Sequence, residues 1–220
     1  MKMKIYDNLY IRTALYATAL LPIGLLYYVV YSNAVNIPFS DDYDLILGLA
    51  MDSLDVHSIG EKVDILFSQH NEHRLAFARA VTLASFYITG NIDMRVLMYI
   101  GNLSLIGIAA LLFFSVEKGK YRIIYFVPVS FIVFQPQYWE STQCAGGALS
   151  NMTGLVFAML SIHMAANPGR RNFALSVLSA VAAVYTHAVG LFVVPVCFGL
   201  FVFQKRRKEM IWWLSIMAAV

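Results

Sequence analysis

Apolar residues in this chain are gathered into long runs. A helix needs about 20 apolar residues to cross a bilayer, with a range of roughly 17–25. The runs predict six membrane-spanning helices, at Ala14–Tyr31, Val96–Val116, Ile123–Phe134, Ala145–Ala166, Phe173–Thr186 and Ala188–Phe203. Ile211–Val220 is apolar but only ten residues long, and we expect it to be the start of a seventh span in a chain that is a fragment of a longer protein.

A hydrophilic segment, residues 32–93, separates the first two predicted spans. Within it Leu75–Tyr87 is apolar but contains Arg79. A crossing there would make the number of crossings between the two flanking basic clusters odd, which would place these clusters on opposite sides of the membrane. We therefore interpret Leu75–Tyr87 as an amphipathic helix in the outer membrane interface, ended by Gly90 and Asn91. Because several later spans are short, we also expect a water-filled recess at the non-cytoplasmic face.

Composition agrees with a membrane protein and excludes other classes. Of the 220 residues, 60% are hydrophobic and 13% are charged, whereas soluble domains average about 45–50% apolar and roughly 25% charged residues. This excess excludes a disordered chain, a disulfide-stapled scaffold and a cytosolic enzyme. The predicted fold is all-α: a polytopic helical membrane protein in which residues 1–220 form a single transmembrane domain and residues 32–93 form a large external loop.

The charged residues predict the orientation of the chain. Residues 32–93 carry nine acidic and three basic residues, and most other basic residues lie in four short groups beside apolar runs. By the positive-inside rule these groups lie in the cytoplasm, opposite the acidic segment. The first apolar run has 18 residues, more than the roughly 7–15 of a secretory signal. We expect an uncleaved anchor, a cytoplasmic N-terminus and residence in the cytoplasmic (inner) membrane.

Two adjacent acids that follow the first span, Asp41 and Asp42, form the first candidate for chemistry. One interpretation is structural: Ser40 caps a helix whose first turn carries both acids. The other is functional, because adjacent carboxylates in a partly desolvated recess raise one another's pKa, which suits proton abstraction, or together bind a metal ion. The residue pattern alone leaves both interpretations open.

A polar run at residues 68–74 forms the second candidate. His70, His73 and Arg74 are spaced i, i+3 and i+4, so on a helix they would share one face, with Glu72 to the side. Arg74 suits a phosphate, which its planar guanidinium can hold through two parallel hydrogen bonds while the imidazoles add donors. Alternatively the histidines and an acid bind a metal ion, or the segment is a solvated loop.

Two further residues complete the candidate set. Glu140 is the only charged residue between Arg122 and Arg170, and a lone carboxylate near membrane depth is a functional candidate. Its neighbour Trp139 is typical of an interface anchor. His187 lies at the bend between the last two predicted spans, where it is either a ligand-binding residue or a hydrogen-bonded polar residue. We expect Glu140 and His187 to contribute to substrate binding.

The blocks Phe39–Tyr43 and Gln69–Arg74, with the Tyr185–Pro195 hairpin, resemble those of bacterial integral membrane glycosyltransferases of the GT-C class. The resemblance covers most of the chain and rests on short motifs. It implies transfer of a sugar from a polyprenyl-phosphate carrier to a lipid, glycan or protein acceptor outside the cytoplasmic membrane. Members of the class generally have more spans than this chain.

The same resemblance implies roles for individual residues. Asp41 matches the first-loop acid that acts as base on the acceptor hydroxyl, with Asp42 as its assistant or alternative. The residues that would bind the leaving phosphate, or orient those that do, are His70, His73, Arg74 and Glu72. The implied partners are the polyprenyl-phosphate sugar donor, membrane lipid and the acceptor, with no nucleic acid. The cofactor requirement is open between none and a divalent cation.

Two other functions remain as alternatives. One is a transporter or flippase for lipid-linked or anionic solutes, although transporters usually place ionisable groups at the membrane midplane, whereas most of those here lie in one predicted external loop. The other is an inactive, truncated remnant of an enzyme.

Overall fold

The computed structural model describes residues 8–70, 73–116, 119 and 121–220, of which 82% are helical and none forms a β-strand. The predicted all-α class is therefore confirmed for this part of the chain. Its α-helices are α1 Leu9–Asn33, α2 Leu49–Asp55, α3 Ile59–Phe67, α4 Ala76–Thr89, α5 Met94–Ser115, α6 Arg122–Val133, α7 Trp139–Gln143, α8 Ala145–Ala166, α9 Arg170–Thr186, α10 Val193–Phe203 and α11 Arg207–Met217. A π-helical segment, Tyr43–Gly48, precedes α2, and the 3₁₀ turns Pro136–Tyr138 and Ala188–Phe192 precede α7 and α10.

Three helices, α1, α5 and α8, are long and apolar enough to cross a membrane, with 25, 22 and 22 residues. They coincide with the predicted first, second and fourth spans. Helices α6, α9 and α10 occupy the other predicted spans but have only 12, 17 and 11 residues. The six-span topology therefore stays a prediction. Four basic residues on which the predicted orientation partly depends lie outside the described residues: Lys2, Lys4, Lys118 and Lys120.

Helix α8 is the centre of the bundle and packs against α4, α5, α9 and α10. Small residues allow its closest contact: a Cβ added at Gly101 of α5 would lie 2.3 Å from the carbonyl carbon of Ala148. Nearby, the hydroxyls of Ser104 and Thr153 are 2.6 Å apart. Small and hydroxyl-bearing residues are what apolar helices use to pack closely within a membrane.

Three apolar cores hold the helices together. The first joins α1, α5 and α6 through Leu26, Val30, Leu105, Ile108 and Phe126. The second joins the segment before α2 to α4, α5 and α8 through Ile46, Ala78, Leu97, Met98 and Leu149. The third joins α8, α9, α10 and α11 through Ala158, Ala183, Cys197, Phe201 and Trp213. Because Trp213 is fully buried and donates to the Val194 carbonyl at 3.1 Å, α11 is an integral part of the bundle.

The predicted helix at Leu75–Tyr87 is confirmed as α4, which ends at Gly90 with a φ of 73°. Its location in a membrane interface stays a prediction, but the structure adds contacts with α8 and α9. Arg79 is buried and donates to the Ile65 carbonyl at 2.8 Å and to the carbonyl and hydroxyl of Ser68. Burial lowers the pKa of Arg79, and the negative charge of Asp52 partly offsets this by raising it. Arg79 thus fastens the end of α3 to α4.

Candidate functional site

Asp42 binds the start of α8 and is only 1% exposed. Its Oδ1 accepts from the Gly146 N–H at 2.7 Å, and its Oδ2 accepts from Ala145 at 3.3 Å and from Phe39 at 3.2 Å. The first N–H groups of a helix lack intrahelical partners and attract negative charge. Asp42 therefore anchors the segment that follows α1 to a helix that begins more than a hundred residues later.

Asp41 differs from its neighbour because its side chain is exposed. The Ser40 hydroxyl donates to its Oδ1 at a long 3.4 Å. Ser40 caps no helix and has a φ of 52°, so the predicted N-cap at Ser40 is wrong. An N-cap residue is normally extended, and the left-handed turn at Ser40 excludes that geometry. The two acids thus separate into a buried anchor and an accessible carboxylate.

A recess of about 250 Å³ brings the predicted acidic residues together. Its lining includes Asp41, Asp42 and Glu140, beside Cys144. Glu140 is exposed on the short helix α7, so the structure places this predicted residue with the two aspartates. Burial, and then the charges of Asp42, Glu140 and Asp41, raise the pKa of the Cys144 thiol to about 11. The recess is therefore electronegative and suited to accepting a proton or attracting a cation.

The predicted divalent cation has no ready site in the described structure. No group of three or more His, Cys, Asp or Glu side chains is placed to hold a metal ion among residues 8–70, 73–116, 119 and 121–220. Glu72, which was expected to orient the phosphate-binding residues or a cation, lies outside the described residues. The metal requirement consequently stays open.

His70, His73 and Arg74 do not lie on a helix, so the shared helical face that their spacing would give does not form. The His70 N–H donates to the His73 carbonyl at 2.7 Å, and the His73 N–H donates to the His70 carbonyl at 2.9 Å. These two hydrogen bonds form an antiparallel bridge between His70 and His73, and α4 begins only after Leu75, whose φ is 48°. Backbone pairing between His70 and His73 replaces the helical hydrogen bonds that a shared helical face would need.

His73 lies against His187, from which it is separated by more than a hundred residues in the sequence. Their rings stack with centroids 4.1 Å apart and an angle of 22° between planes. The N–H of Ala188 donates to His73 Nδ1 and the N–H of Val189 donates to His187 Nδ1, both at 3.3 Å. An Nδ1 that accepts a hydrogen bond carries no proton, so both imidazoles have their proton on Nε2. His70 is joined to this pair through the backbone bridge alone in the described contacts.

Arg74 lies beside a large apolar cavity of about 930 Å³. Its guanidinium is 4.5 Å from the Tyr185 ring centre, and its Nη1 is 3.5 Å from the Val220 carbonyl oxygen. Phe67, Phe77, Phe157, Leu178 and Val181 form much of the wall. Among the described lining residues Arg74 is the charged one. The role of Tyr185 in supporting Arg74 was not predicted, because no local pattern links residues this far apart.

The histidine pair lies near the middle of α8. A Cβ added at Gly154, the tenth of 22 residues in α8, would lie 2.8 Å from the His187 Cβ. At the other end, Gln204 donates to the Ala166 carbonyl at 3.0 Å, which keeps the Phe203 end of α10 level with the end of α8. Because α9 and α10 are shorter than α8, they stop about halfway along it. Eight residues of α8, about 12 Å at 1.5 Å per residue, separate Gly146 beside Asp42 from Gly154.

The bundle thus carries an acidic recess at one end of α8, two stacked imidazoles about halfway along it, and an apolar cavity with Arg74 in its lining. An assignment of function depends on this geometry. No protein-family profile matches the chain, and neither a curated protein nor a solved structure matches it.

Proposed function

We propose that this chain is a membrane glycosyltransferase that moves a sugar from a polyprenyl-phosphate donor to a hydroxyl of a lipid, glycan or protein acceptor. The observation that carries the proposal is the combination of a 930 Å³ apolar cavity, with Arg74 at its edge, and a separate recess that exposes Asp41. A lipid-linked sugar phosphate needs both an apolar site for its chain and a cation for its phosphate, and transfer needs a base for the acceptor.

The donor side of the proposal is supported by the surroundings of Arg74. The cavity walls offer hydrocarbon contact to a prenyl chain. The Arg74 guanidinium is stacked on Tyr185, and its Nη1 lies 3.5 Å from the Val220 carbonyl oxygen. A guanidinium at the edge of an apolar cavity can bind a phosphate through two parallel hydrogen bonds.

The different environments of the two aspartates support the acceptor side of the proposal. Asp42 is fully engaged by backbone N–H groups, so Asp41 is the carboxylate that remains accessible. In the proposed reaction, the acceptor oxygen attacks the anomeric carbon and its proton passes to the Asp41 carboxylate. The bond from the anomeric carbon to the phosphate oxygen breaks, and the electron pair leaves with the phosphate, whose added negative charge Arg74 stabilises.

The direct test measures transfer of labelled sugar from a panel of polyprenyl-phosphate sugars in membranes that contain the protein. We expect Asp41→Asn to lower the rate at least 100-fold, the lower end of what a general base contributes, with the protein still inserted. Arg74→Ala should mainly raise the donor KM. Asp44→Asn, an exposed acid three residues away, is the matched control and should retain the full rate. Transfer at the unmodified rate by Asp41→Asn would reject the base assignment.

The orientation that this reaction needs is tested separately. Residues 32–93 should face the side on which the donor is presented, and Ser58 is exposed at the start of α3. Ser58→Cys should react with a membrane-impermeant thiol reagent added to intact cells. Labelling only after lysis would overturn the predicted topology and the site of reaction with it.

Transport is the second candidate, and the depth of the histidine pair favours it. His187 lies between α9 and α10, close to Gly154 near the middle of α8. Transporters commonly place ionisable groups at such helix breaks. Reconstituted vesicles distinguish the two functions: a transporter moves a fluorescent lipid-linked phosphate across the bilayer without any sugar transfer, and Asp41→Asn leaves that movement intact.

A further inference from the structure

A second cleft lies at the opposite end of the bundle from the acidic recess, between the ends of α5 and α8. Its volume is about 470 Å³. Apolar side chains form its walls and polar ones its rim: Leu111, Phe114, Met159 and Ile162, then Ser115, His163 and Asn167. His163 is 17 residues along α8 from Gly146, about 25 Å. The cleft is therefore separate from both sites assigned above.

The hydrogen bonds at the rim determine which atom of His163 is available. The Ser115 hydroxyl donates to the Leu111 carbonyl at 2.7 Å and lies 3.4 Å from His163 Nδ1. Ser115 therefore contacts Nδ1, which leaves Nε2 as the ring nitrogen for a ligand in the cleft. An imidazole N–H donates to an anion.

Basic residues lie near this cleft. The guanidinium carbon of Arg122 is 6.0 Å from the ring centre of Phe114, which lines the cleft, and the Arg122 Nη2 donates to the Val116 carbonyl at 2.7 Å. Arg170 and Arg171 are exposed and begin α9, three and four residues after Asn167. These arginines favour a negative charge at the rim.

We propose that this cleft binds an anionic phospholipid, with its phosphate at His163 and an acyl chain along the walls. Charge complementarity favours a negative headgroup, since Lys and Arg near a bilayer surface attract anionic lipid. The apolar walls favour an amphiphile over a soluble anion, which would leave them uncovered. This site uses neither Asp41 nor Arg74, so it stands independently of the proposed reaction.

The first test uses the unmodified protein in neutral detergent. Phosphatidylglycerol and phosphatidylcholine with identical acyl chains are titrated, and bound lipid is counted by native mass spectrometry. We expect phosphatidylglycerol to bind at least 5-fold more tightly and excess inorganic phosphate not to displace it. Equal binding of the two lipids would overturn the proposal, and displacement by phosphate would show that the site serves a soluble anion.

Two variants locate the lipid in this cleft. His163→Ala should weaken phosphatidylglycerol binding roughly 5-fold, about the effect of one charge at a membrane surface. Met159→Trp should block the apolar part of the cleft and weaken binding of the same lipid. His57→Ala is the matched control, because His57 is exposed between α2 and α3, and it should bind as the unmodified protein does. Unchanged binding in both cleft variants would reject this location, and the comparison of lipids on the unmodified chain holds even if a variant does not fold.

Discussion

The acidic recess contains Asp41 and Asp42, and the histidine–arginine cluster contains His73, Arg74 and His187. Both include polar residues of the same loop, residues 32–93, but the structure arranges them in opposite ways. In the recess, two adjacent aspartates separate: Asp42 is buried against the start of α8, and Asp41 stays exposed. In the cluster, two histidines far apart in sequence, His73 and His187, come together as stacked rings. The comparison shows that neighbouring positions do not imply a shared role, and that distance along the chain does not exclude one.

The difference has a physical cause. A buried carboxylate needs hydrogen-bond donors, and the unpaired N–H groups at the start of α8 supply them to Asp42. The stacked imidazoles instead meet beyond the end of α9, where His187 lies close to Gly154 of α8. The position of Asp42 in the acidic recess depends on electrostatic capping of α8. The position of the histidine pair depends on where the short helices end.

The largest expected effect separates the two aspartates. Asp42→Ala leaves the N–H groups of Ala145 and Gly146 without their partner, and buried bonds to a charged group are worth about 1.5–3 kcal/mol each. We expect the free energy of unfolding to fall by about 3 kcal/mol, measured by chemical unfolding in detergent. Asp41→Ala, at an exposed position, should change it by less than about 0.5 kcal/mol. Equal losses in the two variants would remove the distinction between anchor and accessible acid.

A smaller effect is expected where the histidine pair meets α8. Gly154→Ala places a Cβ 2.8 Å from the His187 Cβ, and such overpacking costs about 1–3 kcal/mol. Gly24→Ala is the matched control, because an added Cβ there has nothing within 4 Å, and it should stabilise α1 slightly. Thermal unfolding of both variants checks this. If Gly154→Ala were as stable as Gly24→Ala, the close contact between α8 and His187 would be wrong.

The two sites should also be coupled in activity, if one reaction uses both. Asp41→Asn and Arg74→Ala, combined in a double-mutant cycle for sugar transfer, should be non-additive by about 1 kcal/mol or more. Asp44→Asn with Arg74→Ala supplies the additive reference. Strict additivity of the Asp41 and Arg74 changes would show that the two residues act independently and would contradict this coupling.

The smallest effect concerns the charge of the acidic recess. Because the pKa of the Cys144 thiol is raised from 9.0 to about 11, only about one hundredth of it is thiolate at pH 9, where an ordinary thiol is about half ionised. In a Cys197→Ala background, alkylation of Cys144 should remain slow until the pH approaches 11. Stability should decline as the pH rises from about 9 to about 11, since the unfolded thiol ionises first. Asp41→Asn with Glu140→Gln should lower this pKa slightly, because burial is the larger cause; fast alkylation at pH 9 would contradict the burial.

Local patterns predicted the helices more successfully than the sites. The run Ala145–Ala166 was predicted with the bounds that α8 has, because the ends of an uninterrupted apolar stretch indicate where the helix begins and ends. The spacing of His70, His73 and Arg74 left a shared helical face open, and the structure has a backbone bridge between His70 and His73 instead, because i, i+3 and i+4 spacing carries no information on whether the backbone is helical there. The cap at Ser40 failed for the same reason, since a serine before acids is also compatible with a left-handed turn.

The sequence by itself determined that the chain is helical and apolar, where its long helices lie, and which polar segments are available for chemistry, because these depend on hydrophobicity and on neighbouring residues. Only the tertiary structure decided that Asp42 is an anchor, that Glu140 joins the aspartates, and that His73 meets His187. These outcomes depend on which helix ends are level with one another, and that is determined by packing between residues a hundred positions apart.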